Sequence, residues 1–468
     1  MPLLNIGAVG TTSTASHDVS YGIMFGDNAY QSRTLASEGN RKTFTISVWV
    51  KLSLITTGTQ YFIGGANSGS NYALLRYENY NFEWIAYNSS SQVSYLRTTA
   101  QYKDPSAWYN IVIASDTTLG TAADRTKMYV NGVQITDFQT ENYPSQDAQY
   151  VYMDDVPHTF GAFSDGASTQ GGYLEGYMCE IVSIDGQQLT PTSFGEFNNN
   201  IWRPIDPSSL TFGSQGFYLN FATQATDAVD ASGNGNNFSS VNVLSTDHSL
   251  DTCTNNYCTL NPLYYNPTRS NKPTYDDGNT KGSGNSDSMA EGTMSVHSGK
   301  WYYEARTTGD TMFGWGKAGL WGGDAPGQSS IESSAGVGVH AAGRILLNGS
   351  YITSVSRAFS SGTNTVMVAI DYDNEKFYYG TNGTWANSYD PSAGTGGDSL
   401  NSTFWAGFNY VPAFRISNSG SDFSEVNFGN PLRSITSGNS DANGHGNFEY
   451  TVPTGFYALN SKNLAEFG

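Results

Sequence analysis

Cleavage of a glycosidic bond needs two carboxyl groups on one surface, one to donate a proton and one to act as base or nucleophile. On a strand, residues share a face only at even spacing. Glu180 and Asp185, in Met178-Cys-Glu-Ile-Val-Ser-Ile-Asp185, are five apart and are expected on opposite faces. Asp371 and Asp373 have even spacing, but Asp373-Asn374-Glu375 reads as a hairpin turn, where Asp and Asn serve the backbone. Asp154-Asp155 and Asp276-Asp277 fall in loop sequence with no partner pattern. The histidines, His17, His158, His248, His297, His340 and His445, have no Cys or His neighbour at metal-ligand spacing. There is no Gly-x-Ser-x-Gly elbow and no phosphate loop; Gly171-Gly172 and Gly322-Gly323 read as turns. Cys179, Cys253 and Cys258 are an odd, small set, which excludes a disulfide framework. Cys253 and Cys258 could close a short ring, but unpaired thiols are the expectation. The residues thus carry no catalytic set, and a non-enzymatic protein is expected.

What remains is recognition, for which exposed aromatic faces are the chemistry. Trp321 sits in a glycine-rich stretch, Gly319-Leu-Trp-Gly-Gly-Asp324, and Trp385 follows an Asn-Gly turn. Tyr143, Tyr150 and Tyr152 lie in a segment rich in Asp, Gln and Tyr. These five are the candidate ligand contacts. The competing reading for each is a ring packed under its own loop. Trp49, Trp108 and Trp301 fall inside strand patterns and are expected in the core.

The elements that must position these residues are strands. Among 468 residues, 14% are aromatic and only 13% charged, with 52 Gly, a balance that favours strands and turns over helices and is too apolar for disorder. Phe44, Ile46, Val48, Val50 and Leu52 alternate strictly. Tyr72–Arg76, Phe82–Tyr87, Val93–Arg97 and Tyr109–Ala114 repeat the pattern at spacings near ten residues. Asn131-Gly132, Asn348-Gly349 and Asn382-Gly383 supply hairpin turns. One short helix is expected after Thr190-Pro191, over Thr192–Phe197. Phe313-Gly-Trp-Gly316 and Gly336-Val-Gly-Val339 alternate Gly with larger residues, which predicts a close approach of two backbones. The fold class expected is all-β: two antiparallel sandwiches, at 21–200 and 291–432, joined by an ordered, loop-rich bridge at 201–290. An extended segment at 1–20 precedes them and a C-terminal segment follows at 433–468. Gly455-Phe-Tyr-Ala-Leu-Asn460 in that last segment echoes Gly216-Phe-Tyr-Leu-Asn220.

The first sandwich resembles the concanavalin A-like, laminin G-like jelly roll. The matching residues are Phe25–Tyr30, Phe44–Lys51, Trp108–Ile113, Met128–Ile135 and Gly176–Gly186. Glycosidases of this type carry Glu-x-Asp-x-Glu on the catalytic strand, which this chain lacks. The resemblance also implies calcium held by loop oxygens. Asp27 with Asn28, and Asp154 with Asp155, could contribute ligands, though calcium takes six to eight oxygens. The second sandwich resembles a SPRY domain through Gly299-Lys-Trp-Tyr-Tyr-Glu304, Ala369–Tyr378, the Asn382-Gly383 turn and Val426-Asn-Phe-Gly429. It departs from that family in Gly- and Ser-rich loops such as Ser392–Ser399. The whole arrangement, with Asp251-Thr-Cys-Thr-Asn-Asn-Tyr-Cys-Thr-Leu-Asn-Pro262 between the two, resembles a family of bacteriophage virion proteins of tails and fibres.

A net charge of −19 argues against nucleic-acid partners and anionic membrane surfaces. No stretch approaches the roughly 20 apolar residues of a membrane span, so no membrane insertion is expected. The start lacks the basic region of a secretory signal. A virion component, made in the host cytoplasm and displayed on the particle, fits both properties. The expected partners are other virion proteins and a host-surface glycan or protein, with a homo-oligomer, a trimer, favoured on general grounds. The alternatives are a purely structural capsid decoration or tail scaffold and a polysaccharide depolymerase.

Overall fold

The computed structural model describes residues 17–166, 170–222, 228–264, 272–284, 288–318, 331, 336–341, 343–347, 349–352, 359, 364–400, 408–417 and 423–468. The chain forms two compact units, and among the described residues the boundary falls between Thr254 and Asn255.

The first unit is a sandwich of two antiparallel sheets. One runs, in order, through Val133–Gln134, Thr126–Val130, Trp108–Asp116, Thr43–Leu52, Gly176–Asp185, Gly22–Phe25 and His248–Ser249, with Phe217–Leu219 also paired to Gly176–Asp185. The other runs through Phe138–Asn142, Ser91–Thr98, Asn81–Asn88, Asn71–Glu78, Gln60–Ser68, Pro157–Phe160, Tyr30–Thr34 and Ser239–Val241. The alternation read from sequence decides what lies between them. Phe44, Ile46, Val48, Val50 and Leu52 are all fully buried and face Phe62, Leu75, Phe82, Trp84 and Leu96 across the core. Burying each such side chain stabilises the fold by about 1.5–3 kcal/mol. The Asn131-Gly132 turn forms as expected, with φ of 47° and 75° joining Val130 to Val133.

The second unit is also a sandwich. Its larger sheet orders Thr274–Asp276, Lys281–Ser283, Phe423–Asn427, Lys300–Thr307, Val366–Asp371, Lys376–Thr381 and Thr384–Trp385. Its smaller sheet orders Ser288–Glu291, Tyr410–Ser417, Asp310–Lys317, Val337–His340, Arg344–Leu347 and Ser350–Ile352. Trp301, Tyr303, Phe313, Trp315, Ile370 and Phe414 fill the core between them. The glycine alternation does bring two backbones together: Gly314 pairs with Gly338, and a Cβ on Gly314 would lie 1.9 Å from the Val337 carbonyl oxygen.

Two expectations are corrected. The described residues of 201–290 are divided between the two units at Thr254/Asn255 and do not form a separate bridge. Residues up to Thr254 add strands to the first sandwich, because Phe217, Tyr218, Leu219 and Phe221 find burial on its sheet edge. Residues from Asn255 add strands Thr274–Asp276, Lys281–Ser283 and Ser288–Glu291 to the second. The C-terminal segment belongs to the second unit. It covers the outer face of the larger sheet, where Phe448 and Phe456 pack on the fully buried Tyr302 and Tyr378. Finally, the helix after Pro191 is a single 3-10 turn, Pro191–Ser193, followed by strand Gly195–Asn198. Packing overrides the local signal: Gly195 lies under the Trp202 ring, where a Cβ would come within 2.5 Å, and pairs with Pro204.

The echo between Gly216–Asn220 and Gly455–Asn460 extends to a second element in each unit. Asp230, in Asp230-Ala-Ser-Gly-Asn-Gly235, accepts the backbone N–H of Tyr218 at 2.9 Å and those of Ser232 and Asn236. Asp441, in Asp441-Ala-Asn-Gly-His-Gly446, accepts the N–H of Ala458 at 2.9 Å and those of Asn443 and His445. In both units a carboxylate folds its own loop and clamps the Gly-Phe-Tyr strand. The strands themselves pair differently, antiparallel in the first unit and parallel in the second.

Candidate functional site

The outer face of the second sheet of the first sandwich holds a group of half-buried aromatic residues. Along Asn71–Glu78, Ala73, Leu75 and Tyr77 turn into the core, so Tyr72, Leu74 and Arg76 turn out. The same parity turns Ile85 and Tyr87 out from Asn81–Asn88, and Tyr95 from Ser91–Thr98. Leu74, Ile85, Ala66 and Phe163 form an apolar floor, on which Tyr61, Tyr72, Tyr87 and Tyr95 lie half-buried. Ring centroids follow one another across strands: Tyr87 to Tyr72 at 5.3 Å, Tyr72 to Phe163 at 6.3 Å and Phe163 to Tyr61 at 5.7 Å. At the Tyr61 end the face opens into a pocket of about 350 Å³ lined by Thr59, Tyr61, Tyr72, Leu74, Phe163 and Gln170. Gly172 closes its rim at φ 58°, and a Cβ there would lie 2.3 Å from the Tyr61 ring.

A charge cluster borders the rings. Glu83 is fully buried, accepts from Arg76 Nε at 2.9 Å and the Tyr95 hydroxyl at 3.3 Å, and forms ion pairs with Arg76 Nη2 at 2.9 Å and Arg97 Nε at 3.2 Å. Burial alone would lower the Arg76 pKa, but Glu83 and Glu78 more than reverse this and hold the guanidinium firmly charged. Burial pushes the Tyr72 and Tyr95 hydroxyls up, so both keep their protons at neutral pH. The face therefore offers ring surfaces, neutral hydroxyls and an amide. Its one buried carboxylate is fully engaged.

The residues singled out from sequence are placed elsewhere. Tyr150 and Tyr152 are corrected: both are fully buried core residues, edge-on or tilted against Phe44. Their hydroxyls are satisfied inside, by Thr126 at 2.8 Å and Ser183 at 3.0 Å, so neither can stack on a ligand. Tyr143 is half-buried against the same core and donates to Glu141 Oε1 at 2.7 Å. Trp385 is half-buried, with its ring 6.4 Å from Tyr302 in edge geometry. Trp321 lies outside the described residues. Trp49 and Trp301 are in cores; Trp108 is only half-buried and donates Nε1–H to Asp251 at 3.0 Å.

Asp27 and Asn28 form an exposed turn with φ of 49° and 62°. Asp154 is already neutralised by Arg41 Nη2 at 2.9 Å, while Asp155 is exposed. Among the described residues, no three His, Cys, Asp or Glu side chains gather to hold a metal. Glu180 sits at a bulge with φ 49°, is buried, and accepts the Tyr218 hydroxyl at 2.7 and 2.9 Å and a contact from His17 Nε2 at 3.0 Å. Asp185 accepts backbone N–H groups of Asn40 and Gln215. Asp371 is buried against Lys300 at 2.9 Å and Asn374. The strand alternation held the signal for Tyr72, Tyr87 and Tyr95, while a bulge between Tyr61 and Ile63 breaks it for Tyr61, and sequence cannot show which outward tyrosines stay uncovered.

A family model described as the concanavalin A-like lectin/glucanases superfamily, of laminin G type, matches residues 25–180. No curated protein matches the chain. Among solved structures, a putative carbohydrate binding protein from Bacteroides ovatus is 13% identical with a TM-score of 0.33, the match covering 48% of this chain and 59% of that one, less than two thirds of its length. The SPRY domain of human HERC1 is 13% identical with a TM-score of 0.26, covering 36% of this chain and 96% of that one. Mouse laminin alpha1 chain domains LG4-5 are 10% identical with a TM-score of 0.29, covering 88% and 86%. Residues 25–180, within the first unit, are thus similar to concanavalin A-like, laminin G-type domains, and a SPRY domain is among the structural neighbours.

Proposed function

We propose that this chain is a non-enzymatic recognition protein whose first sandwich binds a glycan on the outer tyrosine face. We further propose that it is a bacteriophage virion component, carried on a tail fibre, tail tip or head appendage, that attaches the particle to its host. The observation that carries the binding reading is the run of half-buried rings leading into the open 350 Å³ pocket. A sugar ring presents an apolar C–H face and a rim of hydroxyls. Tyr61, Tyr72 and Phe163 match the first, and Thr59, Gln170 and the tyrosine hydroxyls match the second. Neighbouring strands lie about 5 Å apart, so a chain laid across them meets ring after ring. The non-enzymatic reading is supported by the engagement of Glu180, Asp185 and Asp371 in structural bonds. The virion reading rests on the resemblance of the sequence motifs alone.

The test is glycan-array and host-polysaccharide binding by the purified chain, followed by titration of the Tyr61→Ala/Tyr72→Ala variant. A ring contact contributes about 0.5–1.5 kcal/mol, so losing two weakens binding by about tenfold with unchanged overall fold. Binding unaffected by the double variant, or release of reducing sugar from the bound polysaccharide, refutes the reading. Mass spectrometry of purified particles, and blockade of adsorption by antibody to the first sandwich, test the virion role.

A further inference from the structure

The proposed binding face makes no use of the cysteines, and the structure brings two of them together. Cys179 is fully buried on strand Gly176–Asp185, opposite Trp49 and just before the bulge at Glu180. It forms an apolar cluster with Val19, Trp49 and Trp202, and the half-buried Cys253 packs against that cluster. The segment bearing Cys253 is fixed on both sides. Asp251 is buried against Lys51 Nζ at 2.6 Å and takes the Trp108 Nε1–H at 3.0 Å. Thr252 donates to the Val19 carbonyl at 2.9 Å, and Thr254 Oγ1 accepts the Val19 N–H at 3.0 Å. Gly22 shows how close the two backbones run: a single Cβ placed on it would lie 3.3 Å from both the Cys179 Cβ and the Asp251 carbonyl oxygen. Cys179 and Cys253 thus belong to one apolar cluster at this edge of the sandwich.

We propose that Cys179 and Cys253 are a latent disulfide that closes on exposure to a small-molecule disulfide and staples the 251–254 segment to the first sandwich. The Cys258 thiol is engaged elsewhere. It belongs to the second unit, buried in its core, where its thiol donates to the Thr259 carbonyl and accepts from the Thr293 hydroxyl. In the reaction the half-buried Cys253, as thiolate, attacks one sulfur of the reagent. A first small thiol leaves and takes up the proton that Cys253 lost. Cys179, deprotonated in turn, attacks the Cys253 sulfur of the mixed disulfide and releases the second small thiol. Two S–H bonds are lost, one S–S bond forms, and the reagent takes the two electrons. Burial pushes the Cys253 thiol well up, and the Cys179 contact adds to this, so closure is slow on an intact fold.

The experiment incubates the full chain with oxidised glutathione, alkylates remaining thiols and maps peptides without reduction. The expected result is a Cys179–Cys253 linked peptide, alkylation confined to Cys258, and a thermal midpoint several degrees above that of the dithiothreitol-treated chain. Cys258→Ser retains the crosslink and the shift; Cys253→Ser loses both. A Cys253–Cys258 peptide, a persisting glutathione adduct on Cys253, or three alkylatable thiols after prolonged oxidation overturns the proposal. The wild-type peptide map decides the matter even if a cysteine variant does not fold.

Discussion

Lowering the pH should unfasten the first sandwich through one buried imidazole. His158 is 1% exposed on strand Pro157–Phe160. Its Nδ1 lies 2.9 Å from the Val156 carbonyl oxygen, and its Nε2 faces the Met153 N–H at 3.2 Å. A carbonyl needs a donor and an N–H needs an acceptor, so the ring is neutral, with its proton on Nδ1. Protonating Nε2 would break the Met153 bond and bury a cation beside Arg33. Burial accordingly lowers the pKa from 6.5 to about 4. A group whose folded pKa is depressed contributes its full stability above the unfolded value and loses it as pH falls. The window here runs from about pH 6.5 down to about pH 4, and that separation amounts to roughly 3 kcal/mol. Urea unfolding followed through first-unit tryptophans should show a midpoint falling progressively across that window. The contact between His17 and Glu180 acts with the opposite sign. Its hydrogen bond raises the His17 pKa, so its contribution is complete below about pH 6.5 and fades as pH rises through the folded value. His17→Ala separates the two. An NMR titration of the His158 ring with a midpoint near 6.5, or an unfolding midpoint flat across the window in the His17→Ala background, refutes the reasoning.

Asp251→Asn removes the charge paired with Lys51, which is buried at 1% exposure, and equilibrium unfolding should show a loss of about 3–5 kcal/mol in the first unit. Gly314→Ala forces a methyl group against the Val337 carbonyl and should lower second-unit stability by about 1–3 kcal/mol or more, read from the thermal midpoint. Asp441→Ala removes the acceptor of the Ala458 N–H and of Asn463 Nδ2. Hydrogen exchange at Tyr457–Ala458 and in helix Ser461–Phe467 should quicken while the Lys300–Thr307 core stays protected, and unchanged exchange at the tail would count against the clamp.

Strand identity was legible because it is local. The run Phe44 to Leu52 carries its own period, and Asn131-Gly132 carries its own turn geometry. The failures share one cause, which is that coverage is not local. Tyr150 and Tyr152 stand in polar sequence yet point into the core, where they pack on Phe44 and Trp84. The signals at Thr190-Pro191 are those of a helix start, yet Trp202 draws the next residues into a strand. The segment 201–290 reads as one loop-rich zone, yet its strands are divided between the two units, to which they could only be assigned by pairing.

Composition and alternation alone determined that this chain is all-β, that it builds two sandwiches, and where most hairpins turn, because strand period and turn chemistry are written in neighbouring residues. Tertiary structure alone decided which outward tyrosines remain near solvent, which carboxylates are engaged by Arg, Lys or Tyr, and which thiol meets Cys253. Those outcomes depend on residues brought together from distant parts of the chain, and spacing along the chain does not encode such meetings.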